Sequence, residues 1–430
     1  MYGRVLDKFR MLRYSAIMTK NHPSAHLYVL TTILGTLGGF FAFVHWGYHD
    51  RLFFLPIFAV AALWAAVLFA RQCNGLSAFS INHQDSWLKL FARAIPRFLV
   101  WLCLLGIGIL FYTTHSYYMG YTKSNEFLVI FFNIFAICGI PYFLITLKLK
   151  ASRIEDFYDP AVRIIHIGKQ LLLAMLQRQY RHRARLVMRN RCNRKVLLNL
   201  IMRTYFLPVM VSQVYGGYSS VVRMANEGGL GSLLGFLTWL VAMLWLTDAL
   251  CASVGYCLES RWTESRSRSI DMTSGGWLIC LCCYAPLNEV TGTVFPFAPS
   301  VVTGQSTDLL IHGEVFWLAL KLLETVLLGA LVYSDLSLGP SGVNITLKKI
   351  QSTGPYALVR HPATVCKLSF WWIQSIFYVS FWQWHIILGQ IMWNVIYILR
   401  ALSEERHLKQ YAEYRDYMRR VRYRFIPGLI

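Results

Sequence analysis

Long apolar segments alternate with short polar or basic segments along almost the whole chain. A helix that crosses a bilayer needs about 20 predominantly apolar residues, so segments of this kind predict membrane spans. The pattern predicts about ten spans, and the last two are joined so closely that they form a helical hairpin. The predicted spans are Leu27–Trp46, Leu52–Ala70, Phe98–Tyr112, Phe127–Leu147, Tyr205–Val222, Ser232–Cys257, Gly276–Phe297, Leu309–Tyr333, Val365–Val379 and Phe381–Leu399.

The composition, taken with this pattern, indicates the fold class. The chain has 430 residues, of which 56% are hydrophobic and only 15% charged, and its mean hydropathy is +0.44. A soluble domain carries roughly 25% charged residues. We therefore expect an all-α polytopic integral membrane protein. Pro286 and Pro296 lie inside the seventh predicted span, so a broken or partly re-entrant segment is one interpretation there.

The formal net charge of +21 bears on partners and orientation. Neither an RNA-binding pattern nor finger-like Cys/His spacing accompanies it, so we expect no nucleic-acid partner. Basic segments of membrane proteins mark the cytoplasmic side and attract anionic lipids. They precede the first span, connect spans 2 and 3 and spans 4 and 5, and follow the last span. Both termini are thus predicted to be cytoplasmic, in a bacterial inner membrane or, alternatively, the endoplasmic reticulum.

The longest basic segment, 148–203, carries 14 Lys and Arg residues and divides the chain. It predicts an N-terminal membrane region of about four spans at 1–203, a central region of about four spans at 204–333 and a C-terminal module at 334–430. The cluster Cys280, Cys282 and Cys283 has no His at ligand spacing beside it, so we expect packing cysteines and no metal site.

The residues with the clearest chemical meaning lie in the C-terminal module. Gly354-Pro355 predicts a turn, and Pro362 suits the first turn of a following helix. Arg360 and His361 are therefore expected at the membrane surface where a helix begins, which is a favourable place for an anion.

Acidic and aromatic residues follow the predicted hairpin. Glu404 and Glu405 come directly after its second helix, and a surface helix with one apolar stripe follows. Both charged clusters are expected at the same cytoplasmic face, one at each foot of the hairpin. A cleft with carboxylates, Arg, His and Tyr rings can hold a zwitterionic cofactor with a flat base. The stripe consists of Leu408, Tyr411, Tyr414, Met418 and Val421.

This arrangement resembles the isoprenylcysteine carboxyl methyltransferase and phospholipid N-methyltransferase superfamily over about residues 335–430. The shared pattern is Gly-Pro-Tyr-x3-Arg-His-Pro, a hairpin, Glu-Glu-x2-Leu and a closing Ile-Pro-Gly. At Thr364 and Cys366 the chain departs from the usual family pattern. The resemblance implies S-adenosylmethionine as cofactor, with Arg360 and Glu405 in the catalytic centre. The residues it implies for cofactor binding are Tyr356, Arg360, His361, Pro362, Glu404, Glu405, Tyr411, Tyr414 and Tyr417.

On this interpretation the protein is a methyltransferase that acts on a lipid or lipidated acceptor at the cytoplasmic face. In-line methyl transfer needs mainly positioning of the reactants. One alternative is an NADPH-dependent reductase of the sterol-reductase type, in which Arg419, Arg420 and Arg422 would bind the 2′-phosphate. Another is a lipid-binding or transport protein without catalytic activity.

Ionisable residues inside the predicted spans form a second set of candidates. Such residues are energetically expensive and usually face a partner or a watery cavity. Glu314, Lys321 and Glu324 fall on one face of span 8, and Asp248 lies in span 6. Two interpretations stay open for them: a polar lining for an acceptor headgroup, or a Lys321–Glu324 pair that neutralises itself.

Overall fold

The computed structural model describes residues 25–45, 56–64, 85–149, 159–177, 180–257, 267–303 and 309–428. About 81% of these residues are helical, which confirms the all-α class. The helices are α1 Ala25–His45, α2 56–64, α3 Trp87–Thr114, α4 Ser116–Met119, α5 Thr122–Leu149, α6 Pro160–Leu176, α7 Tyr180–Arg189, α8 Arg191–Asn226, α9 Leu233–Cys257, α10 Ser274–Leu281, α11 Leu287–Val294, α12 Ala298–Thr303, α13 Glu314–Leu338, α14 Pro362–Ser375, α15 Trp384–Leu408 and α16 Ala412–Arg420. Strands β1 Ser269–Ile270 and β2 Thr346–Leu347 pair in antiparallel orientation.

Six helices of the described residues are long and apolar enough to cross a membrane. The chain is therefore a membrane protein by this criterion, but the structure does not support the predicted count of about ten spans. The six are Trp87–Thr114, Thr122–Lys148, Arg191–Asn226, Leu233–Cys257, Glu314–Leu338 and Trp384–Leu408.

The other predicted spans fall short for separate reasons. Span 7 is split into α10 and α11, with Pro286 at the start of α11, because a proline interrupts helical hydrogen bonding. Span 9 is α14, whose 14 residues reach only about 21 Å of the roughly 30 Å hydrocarbon core. Span 1 corresponds to α1, but its apolar part, Leu30–Phe41, is shorter than a membrane span requires. Only 56–64 of span 2 is described, and the basic residues before span 1 lie outside the described residues.

The central helices α8, α9, α13 and α14 pack side by side around one apolar core. Leu246 and Leu250 of α9 and Leu328 and Leu331 of α13 are fully buried in it. Gly217 lets α8 approach α9 closely, since a Cβ atom there would lie 3.2 Å from Leu246 Cβ. The outward faces keep exposed apolar side chains, which is the surface that a lipid environment favours. Examples are Ile107, Ile137 and Val326.

One end of the bundle gathers the C-terminal module, and we call it the motif face. Helices α9, α13 and α15 end there, and α14 begins there. The two-stranded ladder lies at this end, and Lys348, directly after β2, donates from Nζ to the carbonyl oxygen of Gly255 in α9 over 3.0 Å. These contacts join the C-terminal module to the central helices.

Two arginines of the predicted basic segments are buried rather than free on the surface. Arg97 in α3 pairs with Asp159 over 3.2 Å, and Asp159 also caps the start of α6. Arg163 in α6 donates to Oδ1 of Asn193 in α8 over 2.6 Å. Part of the positive charge thus holds α3, α6 and α8 together.

Candidate functional site

The motif loop, residues 354–362, has the predicted turn and helix start. Gly354 adopts φ +64°, a left-handed conformation that glycine tolerates best, and a 3₁₀ turn covers Gly354–Ala357. Pro362 is the first residue of α14, directly after His361. The turn and the helix start therefore place Arg360 and His361 at the motif face.

Arg360 forms a buried ion pair with Glu405, in the last turn of α15. Its Nε atom donates to Oε1 of Glu405 over 2.6 Å, and the Glu405 side chain is only 1% exposed. The sequence predicted both charged clusters at one face, and this pair, which it did not predict, joins them.

Three further positive or basic groups surround the same carboxylate. Arg424 donates from Nε to Oε2 of Glu405 over 3.0 Å, and Lys409 Nζ lies 3.6 Å from Oε2. His361 Nε2 lies 3.4 Å from Oε1 of Glu405 without the geometry of a hydrogen bond, and it is buried with no other hydrogen-bond partner in the described part of the chain. The lone pairs of Glu405 are thus largely engaged by the protein itself.

The segment after α16 runs along the motif loop and completes this arrangement. The backbone N–H groups of Arg360 and His361 donate to the carbonyl oxygens of Tyr423 and Arg424, each over 3.0 Å. Arg360 Nη1 also donates to the carbonyl oxygens of Val421 and Arg422, over 2.9 and 2.7 Å. The guanidinium of Arg360 therefore binds the tail as well as Glu405.

Three tyrosines predicted for the cofactor pocket line the same region. Tyr356, Tyr414 and Tyr417 belong to one buried cluster, and the Tyr417 hydroxyl donates to the carbonyl oxygen of Tyr356 over 2.7 Å. Burial raises the pKa of Tyr414 and Tyr417 above the usual range, so both hydroxyls stay neutral donors. Tyr411 is half-buried, and the guanidinium carbon of Arg268 lies 5.7 Å from the centre of the Tyr411 ring.

Replacing Tyr417 with phenylalanine is expected to lower the free energy of unfolding by about 0.5–1.5 kcal/mol, because the buried carbonyl of Tyr356 loses its donor. Chemical unfolding of the detergent-purified protein measures this loss. Tyr423→Phe is the control: this side chain is 40% exposed, so its effect should stay within about 0.5 kcal/mol. Equal losses in both variants would contradict the anchoring role of Tyr417.

Glu404 is adjacent to Glu405 in sequence, but its side chain lies in the opposite environment. Its side chain is exposed, and it makes no ion pair with any described residue. It lies within electrostatic range of Tyr356 and Tyr414. Consecutive helical side chains point about 100° apart, so Glu405 is buried against Arg360 while Glu404 lies at the surface.

The four predicted intramembrane residues do not form one group. Lys321 pairs with Glu324 over 2.7 Å, which is the self-neutralising alternative, and Glu314 is exposed at the start of α13. Asp248 lies elsewhere, within electrostatic range of Asp335 near the other end of α13. Arg419, Arg420 and Arg422, considered for a 2′-phosphate, are exposed, and Arg419 pairs with Asp416 over 3.2 Å.

A second charged site, of which the sequence analysis named only Asp248, lies between the helices; we call it the interior polar cluster: Asp248, Asp335, Lys367 and Arg400. Lys367 of α14 and Arg400 of α15 each lie beside the ring of Tyr397, 5.9 and 5.7 Å from its centre. A signal was available, since five polar side chains on α15 recur at helical spacing along one face. They are Gln390, Asn394, Tyr397, Arg400 and Glu404.

No three His, Cys, Asp or Glu side chains among the described residues come together as a group that could hold a metal ion. The comparisons with known proteins add no relative from which a role can be transferred. No family model, no curated protein and no solved structure matches this chain.

Proposed function

We propose that the protein is a membrane-embedded S-adenosylmethionine-dependent methyltransferase that acts on a lipid or lipidated acceptor. One observation supports this most: Arg360 of the first motif half is bonded to Glu405 of the second, while the adjacent Glu404 is exposed within electrostatic range of Tyr356 and Tyr414. The resemblance of the sequence to membrane methyltransferases predicts such a meeting of the two motif halves.

The residues at the motif face fit the chemistry of this cofactor. Its ammonium and ribose hydroxyls need a carboxylate, which Glu404 offers without competition from an ion pair. The base of the cofactor needs flat rings to stack on, and its carboxylate needs hydrogen-bond donors. Tyr356 and Tyr414 supply rings, and the buried Nε2 of His361 lacks a hydrogen-bond partner among the described residues. A buried polar atom of this kind is costly unless something binds it.

In this proposal the chain acts by positioning. Arg360 and Glu405 fasten the motif loop and the tail to α15, so the groups around the cleft keep fixed places before any ligand arrives. When bound, S-adenosylmethionine would supply an electrophilic methyl group on its sulfonium sulfur for transfer to the acceptor. Glu404 holds polar groups of the cofactor, and the tyrosine rings limit the access of water.

The same proposal places the motif face on the cytoplasmic side, most simply at a bacterial inner membrane. The exposed basic residues of the tail and of α6 to α8 would then contact anionic lipid headgroups. Exposed apolar side chains at the end of α6 support a position near the bilayer surface. They are Leu172, Leu173, Met175 and Leu176.

Calorimetric titration with S-adenosylhomocysteine tests the cofactor assignment. Wild-type protein in detergent should bind it at micromolar concentrations, and Glu404→Gln should bind at least tenfold more weakly because one charge-assisted contact is lost. Glu413→Gln is the matched control, an acidic residue of α16 that pairs with Arg268 instead. Binding of NADPH but not of S-adenosylhomocysteine would contradict the proposal.

A further inference from the structure

The half of the α14–α15 hairpin opposite the motif face contains buried polar side chains without partners. Gln390 of α15 and Ser375, the last residue of α14, are fully buried, and Ser380 in the connection between the two helices is only 4% exposed. Both amide atoms of Gln390 and the hydroxyl oxygens of Ser375 and Ser380 lack a hydrogen-bond partner among the described residues. Burial of such polar atoms is costly unless something binds them.

Gln390 and Ser375 lie at about the same level of the hairpin. The ring of Phe297 contacts that of Trp371 in α14 and that of Trp393 in α15, with centres 4.8 and 5.7 Å apart, so these two residues share a level. Going away from the motif face, α14 reaches Ser375 after one turn, and the antiparallel α15 reaches Gln390 within about one turn. The unpaired atoms therefore belong to one region between the helices.

Apolar side chains from three segments enclose this region. Ile386 is one turn from Gln390 on the same face of α15 and belongs to a buried apolar cluster. Pro296 approaches α15 so closely that a Cβ atom on Gly389 would overlap its carbonyl oxygen. Because Gln390 is fully buried behind these groups, a lipid headgroup does not fit the region. The cluster consists of Ala298, Val302, Phe381 and Ile386.

The unpaired atoms define the chemistry of the ligand. Gln390 has an unpaired donor, Nε2, and an unpaired acceptor, Oε1, and each serine hydroxyl can both donate and accept. An anion would engage only the donors, and a cation only the acceptors. A neutral group that donates and accepts is required, and water is the smallest. Buried waters typically make about three hydrogen bonds to polar groups that otherwise lack partners.

The early end of α14 gives a second reason for water at this place. Its 14 residues reach about 21 Å, so Ser375 lies within the depth of a hydrocarbon core that is roughly 30 Å thick. The chain continues as irregular backbone and a 3₁₀ turn, Val379–Trp382. Irregular backbone at membrane depth is tolerated where protein buries it or where water adjoins it.

We propose that Gln390, Ser375 and Ser380 form an internal water site in the membrane-embedded part of the hairpin. Fifteen residues of α15 separate Gln390 from Glu405, which is about 22 Å along the helix. The site is therefore distinct from the motif face, and the inference does not depend on the proposed cofactor. Oδ1 of Asn394, one turn closer to the motif face, is also buried without a partner among the described residues, so the water site extends in that direction.

X-ray radiolysis of the full-length protein in isotopically labelled water tests the proposal, because hydroxyl radicals formed from bound water oxidise adjacent side chains. Phe381 follows Ser380 and is 1% exposed, and it should be oxidised at least about fivefold faster than Phe127. Phe127 is the matched control, since it is fully buried between the rings of Phe58 and Phe131. Lauryldimethylamine oxide, a detergent without hydroxyl groups, keeps detergent alcohols out of the site. Equal oxidation rates at Phe381 and Phe127 would overturn the proposal.

Replacing Gln390 with methionine removes the amide and keeps a similar side-chain volume. In a hydrated site the bound water loses a partner, so the oxidation of Phe381 should fall to the rate of Phe127, and the midpoint of thermal unfolding should fall by at least about 2 °C. In a dry site the same change removes an unpaired amide and raises the midpoint, which would refute the water site. Gln383→Met, at an exposed glutamine directly before α15, is the control and should shift the midpoint by less than about 1 °C.

Ser375→Ala is the milder variant, and it decides the matter even where Gln390→Met fails to fold. Loss of this hydroxyl should slow the oxidation of Phe381 at least about twofold, because one partner of the water is removed. Combined with Gln390→Met, it should lower the midpoint by less than the sum of the two single losses, since both side chains bind the same water. Unchanged oxidation of Phe381 in Ser375→Ala, or additive losses in the double variant, would contradict a shared water site.

Discussion

Replacing Glu405 with glutamine is expected to lower the free energy of unfolding by about 3–5 kcal/mol, the cost of leaving a buried charge without its partner. Glutamine has nearly the same shape, so the loss comes from charge rather than from a cavity. Arg360 is only 7% exposed, and its Nε would face a neutral amide. Arg424 would lose the same partner.

The matched control is the neighbouring residue. Glu404→Gln changes an exposed side chain that makes no ion pair with the described residues, so stability should change by less than about 0.5 kcal/mol. Chemical unfolding in detergent micelles measures both variants under the same conditions. Because Arg360 and Arg424 tie the tail to Glu405, Glu405→Gln should also speed tryptic cleavage after α16. Similar stabilities of the two variants would refute the anchoring role of Glu405.

The second large effect is expected at Gly389 in α15. A Cβ atom at this position would overlap the carbonyl oxygen of Pro296 and lie 3.1 Å from its carbonyl carbon. Backbone cannot rotate away as a side chain does, so Gly389→Ala should destabilise by about 1–3 kcal/mol through overpacking. The neighbouring contact from Trp393 Nε1 to the carbonyl oxygen of Phe295, 3.0 Å long, should weaken as the helix is pushed outward.

Gly329→Ala in α13 provides the comparison. Nothing lies within 4 Å of a Cβ atom there among the described residues, so alanine should be neutral or stabilise by up to about 1 kcal/mol through its better helix propensity. Thermal unfolding of both variants in detergent, followed by circular dichroism, separates overpacking from the general effect of a glycine in a helix. A loss in both variants, or in neither, would contradict the close approach of α15 to Pro296.

The ends of the hairpin were predictable for physical reasons. Gly354-Pro355 has few conformations besides a turn, and Pro362 is tolerated in a helix only near its start. Charged residues such as Arg360 and Glu405 avoid the apolar interior, so both were expected beyond the ends of the apolar helices. Their placement at the same face followed from the hairpin between them.

The number of spans was predicted less well, because a hydropathy average over a segment does not show where the helix within it is interrupted. Residues 276–297 are apolar enough to span, but Pro286 divides them into two short helices. The segment around α14 is apolar and too short. Neither feature alters a hydropathy average much, although both alter the length of continuous helix.

The sequence by itself determined the membrane class, the hairpin and the end of the bundle at which the motifs lie, because solvation of charged and apolar groups decides all three. The burial of Glu405 rather than Glu404 was decided by the rotation of α15 against its neighbours. Tertiary packing likewise brought Asp248 to Asp335 and Lys367 near Arg400, residues far apart in sequence that no local pattern connects. Such pairs depend on how helices are placed side by side, and only the folded chain specifies that placement.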